Sequence, residues 1–360
     1  MVAGTDFLQS LFDFNGDVLT DFFWRNIDTG ANAVWLTNST ASVATAADLP
    51  GVESSWFTTG FGDFNNDRQT DLLWRNQETG ANVMWLMNGP TVTTAADLPG
   101  LDVSWGTSSV GDFNGDGQTD ILWSNQDTGA NVMWLMNGTT VGTAVNLSGL
   151  DSNWESEGVA DFNGDGTADL LWRNQDTGEN VAWLINNGTI ATAANLGTLS
   201  VDDWGSAPVS ASSDFNGDGN TDLLWRNQST GDNVVWLVNG STITQAGILP
   251  LPGNWQNSAS GDYNGDGNTD IVWSNIDTGA NVMWLMNGTS IAAAATLPPS
   301  GTSQLSSFSD FNGDGNSDIG IRNYQTGDVA AWLMNGTTIT TAVSLPGVET
   351  NWQTFSQPYV

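Results

Sequence analysis

Seven short acidic segments with one spacing carry the chemistry that is most readily read from this sequence. In the third segment, DFNGDGQTD, oxygen-bearing side chains stand at positions 1, 3, 5 and 9, and a glycine stands at position 6. Calcium prefers six to eight oxygen ligands, and alternate side chains converge on one ion only where the backbone turns sharply, as glycine permits. With the backbone carbonyl at position 7, the segment predicts a calcium-binding loop.

Each loop is expected to bind one Ca²⁺, which gives up to seven ions. The candidate ligands at positions 1, 3, 5, 7 and 9 are, loop by loop, Asp13, Asn15, Asp17, Leu19, Asp21; Asp63, Asn65, Asp67, Gln69, Asp71; Asp112, Asn114, Asp116, Gln118, Asp120; Asp161, Asn163, Asp165, Thr167, Asp169; Asp214, Asn216, Asp218, Asn220, Asp222; Asp262, Asn264, Asp266, Asn268, Asp270; and Asp310, Asn312, Asp314, Asn316, Asp318. Val18 and Arg68 replace the position 6 glycine in the first two loops, so we expect these two to bind more weakly.

The charge of the chain supports a bound cation over the alternative of plain tight turns, which Asp, Asn and Gly also build. The sequence has 40 acidic residues against 6 basic ones, for a net charge of -34, and the loops supply three carboxylates each. Neighbouring carboxylates repel one another unless a cation neutralises them, and turn formation does not require them. The same charge makes nucleic acid and anionic membrane surfaces poor partners.

The loops recur every 48 to 53 residues, and each repeat contains four short aromatic and β-branched runs bounded by turn residues. Both faces of the second and third runs are apolar: Leu72 and Trp74 share one face, and Leu73 lies on the other. Strands covered on both faces favour radially stacked blades over a two-layer sandwich. A helical solenoid fits worse, because its helices need apolar residues with a periodicity of 3.6. We therefore predict an all-β fold, a seven-bladed β-propeller of four-stranded antiparallel blades.

The seven repeats are expected to form one domain over residues 1–360. A surplus first strand, GVETNWQTFSQPYV, follows the seventh repeat, while its N-terminal counterpart TDFLQSLF lacks the tryptophan. We expect the terminal strand to pair with the N-terminal blade and close the ring, which removes an exposed sheet edge. The predicted blades span about 5–50, 51–99, 100–149, 150–200, 201–251, 252–300 and 301–348, and the closing strand spans 349–360.

Tandem DFNGDGxxDLLW units resemble the FG-GAP or VCBS repeat family, whose members form calcium-dependent propellers. The resemblance covers residues 5 to 360 and implies the calcium ligands residue by residue. The family includes the integrin alpha-subunit head and many secreted bacterial proteins, so a secreted or cell-surface location is expected, although no signal peptide is recognisable. The strand spacing is also similar to that of a seven-bladed fungal lectin that binds sugars between blades, but no motif here matches a sugar site.

Three sets of residues recur at fixed blade positions outside the loops. Tryptophans of the second and third strands are predicted to be core. Arginines at 25, 75, 173, 226 and 322 are expected to make buried ion pairs or carbonyl contacts, with an anion or sugar contact as the alternative. The first-strand tryptophans either pack between blades or stack on a ligand: Trp56, Trp105, Trp154, Trp204, Trp255 and Trp352.

The sequence offers little for catalysis, because it lacks His, Cys and Lys and its carboxylates follow the repeat. We expect no enzyme but a calcium-stabilised recognition module with repeated sites for glycans. A calcium-dependent adhesion or scaffold propeller that binds an extracellular protein is the alternative, and a carboxylate-based polysaccharide hydrolase or lyase is a third. Insertion into a membrane is not expected, since no long apolar run occurs.

Overall fold

The predicted propeller is confirmed by a computed structural model that describes residues 12–147, 149–206, 213–301 and 303–354. Seven antiparallel sheets of four strands each make up the ring. Across these ranges, no helix is long and apolar enough to cross a membrane. Most of the N-terminal segment TDFLQSLF lies outside the described residues, so its predicted strand is not described.

Every blade has the same plan of four antiparallel strands, and in blades 2 to 7 these are four consecutive strands of the chain. The strands are β1 (Phe22–Asn26), β2 (Asn32–Thr37), β3 (Val43–Leu49), β4 (Trp56–Gly62), β5 (Asp71–Asn76), β6 (Asn82–Asn88), β7 (Thr91–Leu98), β8 (Trp105–Gly111), β9 (Asp120–Asn125), β10 (Asn131–Asn137), β11 (Thr140–Leu147), β12 (Trp154–Ala160), β13 (Asp169–Asn174), β14 (Glu179–Asn186), β15 (Thr189–Thr198), β16 (Trp204–Ser206), β17 (Leu223–Asn227), β18 (Asp232–Asn239), β19 (Thr242–Pro250), β20 (Trp255–Gly261), β21 (Asp270–Asn275), β22 (Asn281–Asn287), β23 (Ser290–Leu297), β24 (Ser303–Ser309), β25 (Asp318–Asn323), β26 (Val329–Asn335), β27 (Thr338–Leu345) and β28 (Trp352–Thr354). Blade 1 is β28-β1-β2-β3, and blades 2 to 7 follow in chain order.

The core of the ring lies between blades, as the two apolar faces of the central strands predict. Leu72 and Trp74 of blade 2 pack in one cluster with blade 1, whereas Leu73 packs in another with blade 3. Seven such clusters are formed, one at each junction. The fourth strands, such as β7, are mostly exposed, which agrees with the Thr and Ala content that places them at the outer edge.

The predicted ring closure is confirmed, because β28 pairs antiparallel with β1, with Trp352 opposite Asn26. Residues 355 to 360 of the predicted strand lie outside the described residues. Phe22 of blade 1 stacks on Phe311 of blade 7 with ring centroids 5.5 Å apart. Arg322 of blade 7 donates to the carbonyl oxygens of Glu349 (3.2 Å) and Trp352. The last blade is thus joined to the first by strand pairing, ring packing and hydrogen bonds.

The ring has two faces of different construction, because the antiparallel strands place alternate connections at opposite ends. The acidic loops between first and second strands share one face with the hairpins between third and fourth strands, which we call the loop face. The turns between second and third strands and the connections between blades occupy the other, the turn face. In blade 2 the backbone of Gln77, in such a turn, donates to Ser55 in the inter-blade connection (3.0 Å).

Candidate ligand sites on the two faces of the ring

The acidic loops are organised around the carboxylate at position 1. In the third loop, Asp112 Oδ1 accepts the backbone N–H groups of Gly115 (2.7 Å) and Asp116 (3.2 Å), and Oδ2 accepts that of Gly117 (2.8 Å). Asn114 Oδ1 accepts from the backbone of Asp116 at 2.8 Å. The alternating oxygens therefore fold the loop onto itself, which is the arrangement that the spacing predicts.

The carboxylate at position 9 is buried and joins the loop to the blade. Asp120 is 0 % exposed, and its two oxygens accept the backbone N–H groups of Phe113 (3.0 Å) and Met136 (2.8 Å). Burial raises the pKa of Asp120 to about 7, the two hydrogen bonds lower it, and the charges of Asp112 and Asp116 raise it further. All seven position 9 carboxyls have their pKa raised to about 7, with burial as the largest cause.

The donor set of each loop suits a hard cation. Burial is the main cause of the raised pKa of Asp120, and the charges of Asp112 and Asp116 add a smaller repulsive contribution; a divalent ion would relieve such repulsion. Over the described ranges, however, no three Asp, Glu, His or Cys side chains are grouped so that they could hold a metal ion. The structure thus does not bring the three carboxylates of a loop together as one ligand set, and calcium binding at these residues stays a prediction.

The two loops that deviate in sequence keep the backbone conformation of the others. Val18 and Arg68 have φ of 70° and 66°, and Gly117 at the same position has φ of 82°. This left-handed conformation costs a residue with a side chain roughly 1 kcal/mol or more relative to glycine. The strain supports the expectation of weaker calcium binding here, which stays a prediction.

Neighbouring loops are joined by main-chain hydrogen bonds. The carbonyl of Asp63, at position 1 of the second loop, accepts from the backbone of Thr119 in the third loop at 2.7 Å. The carbonyl of Phe64 accepts from Gly138, in the hairpin of blade 3, at 3.0 Å. The same pair of bonds recurs at the six junctions between consecutive blades from 1 to 7. Each loop therefore rests on the next blade, so its conformation depends on its neighbour.

On the turn face, the six first-strand tryptophans are half-buried, and each packs by part of its surface against an inter-blade cluster. Trp105 stands opposite Asn125 at the end of the blade 3 sheet. Asn125 Oδ1 accepts the backbone N–H groups of Asp127 (3.1 Å) and Thr128 (2.9 Å), so this amide builds the turn. Gln126, the next residue, is exposed, and its side-chain amide lies near Gly106 instead of Trp105. The indole and the amide are therefore presented at the same end of the blade but on opposite faces of its sheet.

Buried arginines fix the backbone beneath these tryptophans. Arg75 donates to the carbonyl oxygens of Trp105 (2.6 Å) and Asp102 (2.8 Å), and its guanidinium carbon lies 5.2 Å from the centre of the Trp123 ring. Of the predicted roles, carbonyl contact is therefore the one observed, supplemented by stacking on the next blade. Ser124 and Ser274 replace the arginine in blades 3 and 6 and donate instead to Asn131 and Asn281.

The remaining tryptophans follow the core prediction with two departures. All six of the second strand are at most 1 % exposed, and five of the third strand are buried. Trp35 and Trp332 are only half-buried, and both pack at clusters that involve blade 7. Blade 7 carries Ile321 where the other second strands have tryptophan. The smaller side chain leaves Trp332, which lies in the same cluster, less covered; Ile321 is not part of the cluster of Trp35.

Two features of the turn face escaped sequence reasoning. Four of the arginines donate to the main-chain carbonyl of a first-strand tryptophan, whereas Arg226 donates to Leu251 and Gly253. The recurrence of arginine directly after the second-strand tryptophan, or after Ile321 in blade 7, was the sequence signal for this role. The residue that follows the turn asparagine is glutamine in blades 2 to 5 but isoleucine or tyrosine in the others, and this difference is visible once the repeats are aligned.

The ring of seven four-stranded blades with one acidic loop each defines a repeat-built β-propeller. A model for the FG-GAP-like repeat matches residues 13–74, 63–123, 112–172, 214–273 and 262–321, most of the chain. The chain therefore belongs to the FG-GAP-like repeat family. The resemblance read from the motif is thereby confirmed. No curated protein sequence matches the chain.

Solved structures with the same fold have low sequence identity. The chain is similar to an Agrocybe aegerita lectin that recognises non-reducing terminal N-acetylglucosamine, with a TM-score of 0.65 and 14% identity over 92% of this chain and 91% of that one. It is also similar to the dihydro-heme d1 dehydrogenase NirN, with a TM-score of 0.59 and 12% identity over 94% and 66%. A lectin and an enzyme share the fold, so the fold alone does not assign the activity.

Proposed function

We propose that this protein is a non-catalytic, calcium-stabilised recognition module that binds saccharides on its turn face and acts outside the cell. The observation that carries the proposal is the set of six half-exposed tryptophans, each at the same end of a first strand. A half-buried indole on a rigid sheet offers its apolar face to the C–H groups of a sugar ring without ordering cost.

Calcium has a structural role in this proposal. The position 1, 5 and 9 carboxylates, the position 3 amide and the position 7 carbonyl would hold the ion, which supplies positive charge to a crowded acidic loop. Because the loop lies on the face opposite the tryptophans, it does not contact the saccharide. Its effect on binding comes through the ring, since each loop supports the next blade through two main-chain bonds.

The saccharide surface combines stacking and hydrogen bonding. In blades 2 to 5, the exposed Gln77, Gln126, Gln175 and Gln228 stand at the same blade ends as the tryptophans, on the other face of each sheet, and offer both amide donors and acceptors. The asparagines of the same turns are already engaged in holding the turn, so they add rigidity instead of ligand contacts. Similar sites repeated on one ring favour multivalent targets, where avidity can add roughly 10²-fold or more.

A glycan array tests the proposal with calcium-loaded protein. N-acetylglucosamine and its oligomers are the first probes, because the similar lectin recognises that terminal sugar. We expect wild-type binding that Trp105→Ala and Trp154→Ala weaken, while Trp85→Phe, a matched change of a buried third-strand tryptophan, leaves it intact. If the wild-type protein bound no glycan on a broad array, the saccharide proposal would be wrong, and a protein-binding scaffold would become the proposed function.

A further inference from the structure

The turn face departs from sevenfold repetition in one continuous sector. At the residue after the turn asparagine, blades 2 to 5 present glutamine, whereas blades 6, 7 and 1 present Ile276, Tyr324 and Ile27. These three side chains are 60 %, 38 % and 44 % exposed. The three blades are consecutive because β28 closes the ring onto β1. We call Ile276, Tyr324 and Ile27 the apolar sector.

The apolar sector is presented by a rigid backbone. Ile27 N–H donates to Asn351 O at 3.0 Å, and Ile276 N–H donates to Asn254 O at 2.9 Å, the same bond that Gln77 makes with Ser55. The ring of Tyr324 lies 5.0 Å from the guanidinium carbon of buried Arg322. The side chains therefore stand where the glutamines stand in the other blades, and what changes between blades is their chemistry.

Tryptophan lies beside two members of the sector. Trp352 is the strand partner of Asn26, which precedes Ile27, and Trp255 is the partner of Asn275, which precedes Ile276. Blade 7 has Ser303 at the tryptophan position, opposite Asn323, and supplies its aromatic ring from Tyr324 instead. Apolar surface thus recurs in each of the three blades.

Carboxylates surround the apolar sector. Asp28, Asp277, Asp328 and Glu349 are all exposed in the turns and connection of these blades. The arginines of the same blades, Arg25 and Arg322, are 2 % and 0 % exposed. Their positive charges therefore lie inside the ring and not among these surface carboxylates. A partner complementary to this surface needs apolar side chains at its centre and cations around them.

We propose that the apolar sector docks a protein partner that presents apolar side chains flanked by lysine or arginine. A second copy of this chain would bring the same carboxylates against each other, and a chain of charge -34 is repelled by an anionic membrane. Glutamine at the same position in four blades shows that the turn does not require an apolar residue. The sector thus gives the ring a second recognition surface beside its saccharide sites.

The experiment compares three proteins for binding of a fluorescein-labelled 18-residue amphipathic peptide of leucine and lysine. The test variant, Ile27→Gln/Ile276→Gln/Tyr324→Gln, restores the residue of the other blades. The matched control, Ile248→Gln/Ile291→Gln, removes apolar side chains on the outer fourth strands that are 67 % and 37 % exposed. A glycine and lysine peptide of equal charge measures attraction by charge alone, and circular dichroism melts verify that all three proteins fold.

We expect the test variant to bind the leucine and lysine peptide at least about tenfold more weakly than wild type, and the control to bind it normally. Equal binding by test variant and wild type, or by the two peptides, would overturn the proposal. So would wild-type dimerisation in sedimentation velocity, or binding to neutral phosphatidylcholine vesicles, if the test variant abolished either. These results would assign the sector to a second copy or to a lipid surface.

Discussion

The two faces of the ring are built by different rules. On the loop face, carboxylates at fixed positions accept main-chain N–H groups of their own loop and blade, and the motif recurs seven times with few changes. On the turn face, asparagine in every blade and arginine in five of the seven form a regular frame, but the exposed residue beside it changes from Gln77 to Ile27. Residues that satisfy the backbone are mostly repeated, and residues that point outward vary, so we expect ligand specificity to arise on the turn face.

Removal of calcium should have the largest effect and should act through the loop face. For dissociation constants of about 0.1 to 1 mM at about 1 mM calcium, each site adds roughly 0.4 to 1.4 kcal/mol, so seven sites add roughly 3 to 10 kcal/mol. We expect chelation with EGTA to lower the melting temperature by many degrees, measured by differential scanning calorimetry. A melt insensitive to the chelator would contradict calcium binding, and magnesium serves as the control ion.

The next largest effect is expected from pH in the chelated protein. It should act through the loop face, because the seven buried carboxyls with raised pKa all belong to the loops. Asp120 has a pKa of about 7 when folded against its ordinary value of 3.8. Between those values the folded state binds more protons, so the free energy of unfolding falls as pH rises from about 4 to about 7. Thermal melts in EGTA should therefore be higher at pH 5.5 than at pH 8.

Calcium should oppose this trend, because it favours the ionised carboxyls. Calcium affinity is then expected to fall as the pH drops below about 7, which calorimetric titration at pH 5.5 and 7.5 would measure. Chelated protein that is more stable at pH 8 than at pH 5.5 would show that these carboxyls are ionised in the folded state at both pH values.

A pair of tryptophans in blade 3 tests whether the turn face can lose recognition without losing the ring. Trp123 is 0 % exposed between blades, so Trp123→Ala should cost about 3 to 5 kcal/mol. Trp105 is half-buried, and Trp105→Ala should cost about 1 to 3 kcal/mol and abolish its share of saccharide binding. Urea unfolding gives both values, and equal costs would make Trp105 a core residue.

The smallest expected effect concerns irregular members of the loop face. Arg68 has φ of 66°, so Arg68→Gly should relieve strain and stabilise the protein by about 1 kcal/mol or less. It should also raise calcium affinity, because a cation leaves the site. Isothermal titration would detect the change, and Gly117→Ala in the third loop is the matched reverse substitution. Weaker calcium binding by Arg68→Gly would contradict the predicted order of affinities.

The blade plan was predictable because its signals are local and repeated. Leu72, Leu73 and Trp74 alternate between two apolar faces, and the surplus strand at Trp352 indicated how the ring closes. The sharp turn of the loop, with its side-chain oxygens directed inward, was predictable. The burial of Asp120 was not, because its hydrogen-bond partner Met136 lies in another strand. The carbonyl oxygens that accept from Arg75 could not be predicted either. Every residue has a main-chain oxygen, so the sequence does not show which of them an arginine contacts.

Closure by β28 also sets the order in which the protein can be completed during synthesis. The strand that pairs with β1 is translated after the other strands of the described ring, so blade 1 keeps a bare inner edge while blades 2 to 7 emerge from the ribosome. At about 5 to 20 residues per second, that interval lasts roughly 20 to 70 s. An exposed edge invites pairing with other chains, so nascent molecules need protection until Trp352 is made. A chain truncated before Trp352 is therefore expected to expose the edge of β1 and to associate with other chains more readily than the closed ring.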